Sequence, residues 1–201
     1  MKKLAKLASP LNWRHRPGAR LPQLFLLTDV NRLADPTDVL HRLPRGAAVI
    51  LRHTDPNVLV RLAHRIIPRA HRLGLNVLLA GDMRLAIRLG ADGVHLSERL
   101  AQRGPGRIQV PTPNFIVTVA AHSRLALWRA ARAGADLSLL SQAFPSESHP
   151  GASALGSLRF LILAKHSPVP VVALGGVDEK NARRLRVDAV AGLGAIGAWR
   201  T

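Results

Sequence analysis

Residues Asn76–Ser97 read NVLLAGDMRLAIRLGADGVHLS, and the fold turns on how this stretch is parsed. The run Asn76–Gly81 is short, apolar and free of polar alternation, which suits a strand buried on both faces of a parallel sheet. Asp82 is a helix-capping residue type, and Met83, Leu85, Ala86 and Leu89 follow at helical spacing, so a helix over Asp82–Leu89 is expected. Gly93–Ser97 is a second buried strand. Strand, helix and strand in so few residues make one βα unit with a right-handed crossover.

The same grammar repeats outward in both directions. Strands are expected at Leu24–Asp29, Ala48–Arg52, Phe115–Ala121, Leu137–Gln142, Pro170–Gly175 and Ala189–Ala195. Helices are expected at Pro56–Arg72, Ser123–Ala133 (capped by Ser123 and stopped by Gly134), Gly156–Lys165 and Asp178–Leu185. The segment ERLAQRGPGR after Ser97 is too broken for a good helix. Eight strands in 201 residues predict an α/β fold, a compact (β/α)8 TIM barrel whose last outer helix is short or missing. An open doubly wound sheet shares this local pattern and is the competing architecture. The expected organisation is a basic N-terminal arm over residues 1–20 and one barrel domain over 21–201.

Bulk composition narrows the function. The chain carries 29 Lys and Arg against 12 Asp and Glu, a formal charge of +17, which favours anionic partners. The arginines are scattered, so a solvated basic surface accounts for them equally well. Cysteine is absent, which excludes disulfides and thiolate metal sites. The first twenty residues lack the apolar core of a signal peptide, and no stretch reaches the roughly 20 apolar residues that span a bilayer. A cytoplasmic protein is expected. With 3% aromatic residues and no tyrosine, stacking platforms for nucleic acid are not expected, and neither is membrane binding. Trp13 and Trp199 lie near the termini and are candidates for mutual packing or for an interface between copies, which leaves a homo-oligomer open.

In a barrel, chemistry belongs at the carboxyl ends of the strands, and phosphate often binds beyond strands seven and eight. Strand seven ends in Leu174-Gly175-Gly176-Val177 before Asp178, and strand eight in Gly192-Leu193-Gly194-Ala195-Ile196. Paired glycines let phosphate oxygens approach backbone amides, and a helix beginning at Asp178 would add positive potential. Both clusters could equally be tight turns that use glycine for geometry. Their joint placement favours a phosphate site.

Gly90–Leu96 (GADGVHL), Phe144–Gly151 (FPSESHPG) and Pro170–Val177 (PVVALGGV) together resemble the thiamine phosphate synthase and thiazole tautomerase superfamily. The spacing agrees from Thr28-Asp29 to Gly194-Ala195-Ile196, over roughly residues 24–197. The resemblance implies a transferase of thiamine biosynthesis. It would join hydroxymethylpyrimidine pyrophosphate to thiazole phosphate and release pyrophosphate, with Mg2+ stabilising the leaving charge. It implies that Gly175, Gly176, Gly194 and Ala195 hold the thiazole phosphate. Ser146, Ser148 and His149 would face the pyrophosphate, with His149 in place of a family lysine. Arg52 matches the strand-two arginine, and His122 a histidine after strand five; these are the catalytic candidates.

Several family positions are replaced. Ile50 and Thr54 stand where a glutamine and a lysine are usual, and Ala80-Gly81-Asp82 where Asn-Asp-Arg is usual. Leu100 takes the place of the second metal carboxylate, Ala120 and Gly194 replace serines, and Gln142 replaces the histidine of the tautomerase branch. Asp82 and Glu98 are the carboxylates nearest the lost ones; capping is the expected role of Asp82, and Glu98 reads as surface. His95 is expected to point into packing or a backbone bond, and His122 is open between a structural and a catalytic role. The expectation is therefore a synthase-like transferase whose metal ligands are lost and whose turnover is weak or absent. The alternative is a non-catalytic binder of thiazole phosphate or another phosphorylated small molecule. A basic nucleic-acid or membrane binder acting through its N-terminal arm is a third reading, to be recognised by strong salt dependence.

Overall fold

The computed structural model describes residues 21–102, 108–110, 112, 114–146, 151, 153–185 and 190–195. The basic arm, Trp13, Ser148, His149, Ile196 and Trp199 lie outside the described residues. Eight parallel strands close into one barrel in sequence order, β8 pairing back onto β1. This settles the architecture against an open sheet. The strands are β1 (Leu24–Leu27), β2 (Ala48–Leu51), β3 (Asn76–Ala80), β4 (Gly93–Leu96), β5 (Ile116–Ala121), β6 (Leu137–Leu140), β7 (Val171–Ala173) and β8 (Gly192–Ala195). All eight fall within the expected runs, trimmed at their ends.

Alternation along each strand builds two apolar layers, as parallel strands in a barrel must. Phe25, Leu27, Ala48, Ile50, Leu78, Ile116, Leu137, Leu139 and Val172 fill the barrel interior. The intervening residues, such as Leu26, Val49, Leu51, Val77, Leu79 and Val94, pack outward against the helices.

The helices are α1 (Pro56–Arg72), α2 (Met83–Arg88), α3 (Glu98–Gln102), α4 (Arg124–Arg132) and α5 (Gly156–Lys165). Each of α1, α2 and α4 starts on a side-chain cap: Asp55 accepts from the Asn57 and Val58 amides, Asp82 from Arg84 and Leu85, and Ser123 from Ala126. α1 buries Leu59, Leu62, Ala63, Ile66, Ile67 and Ala70 against the sheet. ERLAQRGPGR yields one short helix, Glu98–Gln102, before the chain leaves the described residues.

The expected helix Asp178–Leu185 is corrected. Only a three-residue 3-10 turn forms there, Ala182–Arg184. Asp178 Oδ1 instead accepts the amides of Lys180 and Asn181, both at 2.8 Å, closing a local turn. Asn181 then ties back, its Nδ2 donating to the Gly176 carbonyl at 2.6 Å. The helix-terminus field expected behind the β7 glycines is therefore absent there; any attraction for an anion must come from the turn amides themselves.

Two acids lock the opposite, amino-terminal end of the barrel. Asp92 Oδ2 accepts the Val77 amide at 2.7 Å and pairs with His71 Nε2 at 2.8 Å. Asp136 Oδ2 accepts the Val117 amide at 2.9 Å. Both acids follow a Gly-Ala pair and satisfy a strand-entry N–H that would otherwise lack a partner. The aspartate of GADGVHL is thus a structural clasp, on the face away from the chemistry.

Candidate active site at the carboxyl rim

The β7 end carries the glycine pair. Gly175 and Gly176 hold φ of +90° and +63°, the left-handed region that favours glycine. Their turn lies under the segment that follows β6: the Ala143 amide donates to the Leu174 carbonyl at 2.9 Å, and the Phe144 amide to Gly175 at 3.0 Å. A Cβ on Gly176 would stand 2.3 Å from the Pro145 carbonyl oxygen and 2.6 Å from that of Phe144. On Gly175 it would meet Gln142 Cγ at 2.8 Å. The pair is required by this backbone crossing before any ligand is considered. Gly194 differs: a Cβ there would be crowded by the Leu174 Cδ1 end at 3.1 Å, with the Ala173 oxygen at 3.6 Å in ordinary contact, and its φ is not positive. Ala195 is the last residue of β8, buried beside it.

Polar groups gather where β5 and β6 end. His122 Nδ1 lies 3.1 Å from Ser141 Oγ and 3.2 Å from the Ser141 carbonyl. Gln142 Nε2 donates to Ser146 Oγ at 2.7 Å, so the one pyrophosphate-side serine among the described residues is already engaged. Arg184 stacks over the Phe144 ring at 5.8 Å, fastening the 3-10 turn to this segment.

The β1–β2 rim is organised by Thr28, which is fully buried. Its hydroxyl accepts the Arg52 amide at 2.7 Å and donates to the Arg52 carbonyl at 3.1 Å. Its own carbonyl accepts Arg52 Nε at 2.9 Å. Arg52 Nη2 then reaches Asp29 Oδ2 at 3.4 Å. Arg32 Nη2 lies 3.5 Å from that same oxygen, an ion pair without hydrogen-bond geometry. Burial would raise the Asp29 pKa, but Arg32, the Asn31 amide and the Arg52 charge outweigh it, so the carboxyl titrates below its ordinary range. Arg52 is held somewhat below its ordinary value, chiefly by burial, with Asp29 opposing and Arg32 reinforcing the shift.

His95 points into the barrel. Its Nδ1 sits 2.9 Å from Thr118 Oγ1, whose hydroxyl also donates to the Val94 carbonyl at 3.3 Å. Of the two expectations, packing or a backbone bond, the structure shows packing, with a side-chain hydroxyl as the polar partner. Burial, with a smaller contribution from the Arg52 charge, pushes the imidazole pKa down to about 3. His95 is therefore neutral at physiological pH.

The described carboxylates of this rim are committed to protein donors. Asp29 holds the arginines, Asp55 and Asp82 cap α1 and α2, Glu98 pairs with Arg129 at 3.7 Å, and Asp178 closes its turn. The capping role expected for Asp82 is the observed one. Among the described residues, no group of three or more His, Asp or Glu side chains is placed to hold a metal ion.

Arg32 and Ser141 were not legible as site residues in the sequence. Arg32 had a weak signal, an arginine three residues after a strand-end aspartate. Ser141 had none, because only the folded β5–β6 rim brings it to His122.

Comparison with known proteins agrees with this architecture. Residues 25–198 match the family model of thiamine monophosphate synthase. A thiamine-phosphate synthase of Thiobacillus denitrificans is 33% identical over 142 residues, 70% of this chain and 64% of the relative. One from Chlorobium luteolum is 29% identical over 182 residues, 88% of this chain and 84% of the relative. The solved thiamine phosphate pyrophosphorylase of Pyrococcus furiosus superposes with a TM-score of 0.69 at 22% identity, covering 89% of each chain, a likeness of fold.

Proposed function

The chain belongs to the thiamine monophosphate synthase family, and from that membership we infer a synthase-type transferase of thiamine biosynthesis. In this reading the thiazole ring of thiazole phosphate displaces pyrophosphate from hydroxymethylpyrimidine pyrophosphate. The family match along 25–198, on a closed barrel that carries the Gly175-Gly176 turn and the end of β8 at one rim, supports the reading. The amides of Gly175 and Gly176, with Gly194 and Ala195 at the end of β8, take the thiazole phosphate. Arg52 faces the leaving pyrophosphate, and His122, steadied by Ser141, is the group available for proton transfer at the β5 end. Turnover is slow on this account, because the carboxylates that the resemblance assigns to the metal are replaced, together with the glutamine and lysine of the strand-two motif. No helix among the described residues is long and apolar enough to cross a membrane. We place the protein in the cytoplasm with phosphorylated small molecules as its ligands.

The test is incubation of the purified chain with both substrates and Mg2+, following thiamine phosphate and released pyrophosphate together. Slow, stoichiometric appearance of both supports the reading; turnover at the rate of a complete synthase would overturn the slow step. The commitment of the rim carboxylates favours a second reading, a non-catalytic binder of thiazole phosphate or another phosphorylated small molecule. Saturable binding of thiazole phosphate with no product would select it.

A further inference from the structure

Seven large apolar side chains stand exposed among the described residues, and four of them lie on two helices. Leu125 (57% exposed) and Trp128 (49%) are three apart on α4, and Leu158 (73%) and Ile162 (51%) are four apart on α5. Those spacings put each pair on one face of its helix. It is the outer face, because Ala126, Leu127 and Ala130 of α4 and Phe160 and Ala164 of α5 are the buried residues. β5 and β6 are paired neighbours, so the helices that follow them stand side by side outside the barrel, and the two pairs share one flank.

The contrast with α1 is sharp. α1 turns Arg61, Arg65 and Arg69 to water, as an amphipathic surface helix does. α5 is apolar on every side, with Arg159 and Lys165 as its only charges, and a helix of that pattern belongs under cover. Neither α4 nor α5 carries an acid. The exposed cations Arg124 and Arg132 are the first and last residues of α4, and Lys165 is the last of α5. Apart from Arg159, charge therefore lies at the margin and apolar surface at the centre, as in a protein interface.

We propose that this flank is the interface of a homodimer, in which a second copy packs its own α4–α5 face onto it about a two-fold axis. The four side chains leave on the order of 400 Å2 of apolar surface in water, the scale of the largest patch on a typical monomer. Two copies bring about 800 Å2, and at the roughly 65% apolar share of homodimer interfaces the total reaches about 1,200 Å2, above the roughly 1,000 Å2 that a stable interface needs. The cover is needed whenever the chain is folded, and another copy is the partner always made with it. The proposal is independent of the synthase reading.

The experiment is sedimentation equilibrium of the full chain at physiological and at high salt. A dimer with a Kd of about 10 μM or tighter is expected at physiological salt. High salt should leave association unchanged or tighten it, since it screens the repulsion among the marginal cations. Leu158→Arg and, separately, Leu125→Arg are expected to weaken association by about a hundredfold or more, because each sets like charges against one another in the apolar centre. Ile87→Arg, at an exposed apolar position of α2, should sediment like the wild type. Thermal melts confirm that these exposed positions leave the fold intact. A wild type that stays monomeric, a dimer that persists in both leucine variants, or equal loss in Ile87→Arg would each overturn the interface. A monomeric chain that instead binds vesicles of phosphatidylcholine and phosphatidylglycerol, and leaves them in high salt, would assign the face to an anionic lipid surface and sink the dimer.

Discussion

The two halves of the rim are built on opposite principles. At β7 the rim is backbone: Gly175 and Gly176 are dictated by the chain crossing above them, where a Cβ would collide with Gln142 at the first and with main-chain oxygens at the second. At β1–β2 the surface is side chain: Arg52 and Arg32 project from a strand end and a loop, held by Thr28 and Asp29. A backbone site resists substitution because the fold itself breaks when it changes. A side-chain site drifts, because the fold tolerates its replacement. This is a physical reason for the resemblance to hold at the β7 glycine pair and to lapse at side-chain positions such as Ile50, Thr54, Gly81 and Leu100.

The largest effect that could break this contrast is at Gly176. Gly176→Ala forces a Cβ to 2.3 Å from the Pro145 oxygen at a φ of +63°. A loss of about 3 kcal/mol or more in urea unfolding is expected from the clash and the left-handed strain together. Near-native stability would show that the β6 segment yields, and the glycine pair would then be explained by ligand alone. Loss of phosphate binding in any Gly176 variant is informative only if that variant is shown to be folded.

On the side-chain half, Thr28→Val keeps shape and removes the hydroxyl that accepts the Arg52 amide at 2.7 Å. The buried amide is left without its acceptor, so a loss of about 2 kcal/mol is expected, with weaker pyrophosphate binding. Unchanged pyrophosphate affinity with that stability loss would mean Thr28 supports the fold but not the guanidinium.

Much of this was legible before the structure, and the exceptions are instructive. Strand runs such as Ala48–Arg52 and Asn76–Gly81 announced themselves because burial on both faces removes polar alternation. Closure into a barrel did not, because an open sheet has the same local pattern; only the β8–β1 pairing decides it. The helix expected at Asp178–Leu185 failed because the Asp178 and Asn181 side chains bind nearby backbone groups, an option residue type alone does not rank against helix. The glycine pair was open between a phosphate site and a tight turn; the tight turn is present, with positive φ at both residues and the Phe144 and Pro145 carbonyls against Gly176, and it is compatible with a phosphate on the turn amides. Arg32 and Ser141 were missed because their partners lie across loops or strands, where sequence spacing carries no information.

His95 sits between the two halves and tests how far the β2 charge reaches. Its folded pKa of about 3 lies below the ordinary 6.5, so the unfolded chain binds the extra proton between those values. Its contribution to stability is therefore complete above pH 6.5 and is lost progressively as pH falls toward 3. Between pH 6.5 and 5 the wild type should lose about 2 kcal/mol more than His95→Gln, measured by urea unfolding at each pH. Parallel pH profiles would mean that His95 opens to solvent before it titrates. Adding Arg52→Gln should flatten the profile slightly by removing a neighbouring positive charge, but burial, the larger cause, would remain.

The smallest effect is the one that separates the halves most finely. Gly194 stands at the backbone rim, yet it lacks positive φ and its nearest neighbour would be a leucine methyl at 3.1 Å. By the argument above it should behave like the drifting half. Gly194→Ser, which restores the hydroxyl usual in the family, is expected to change stability by less than about 0.5 kcal/mol, since the Leu174 side chain can yield. The added hydroxyl can donate to a phosphate oxygen, and tighter thiazole phosphate binding by about threefold or more is expected. Calorimetry on the variant decides this. A stable Gly194→Ser chain with unchanged affinity would put the phosphate wholly on the β7 turn, and a destabilised one would extend the backbone constraint of Gly176 across to β8.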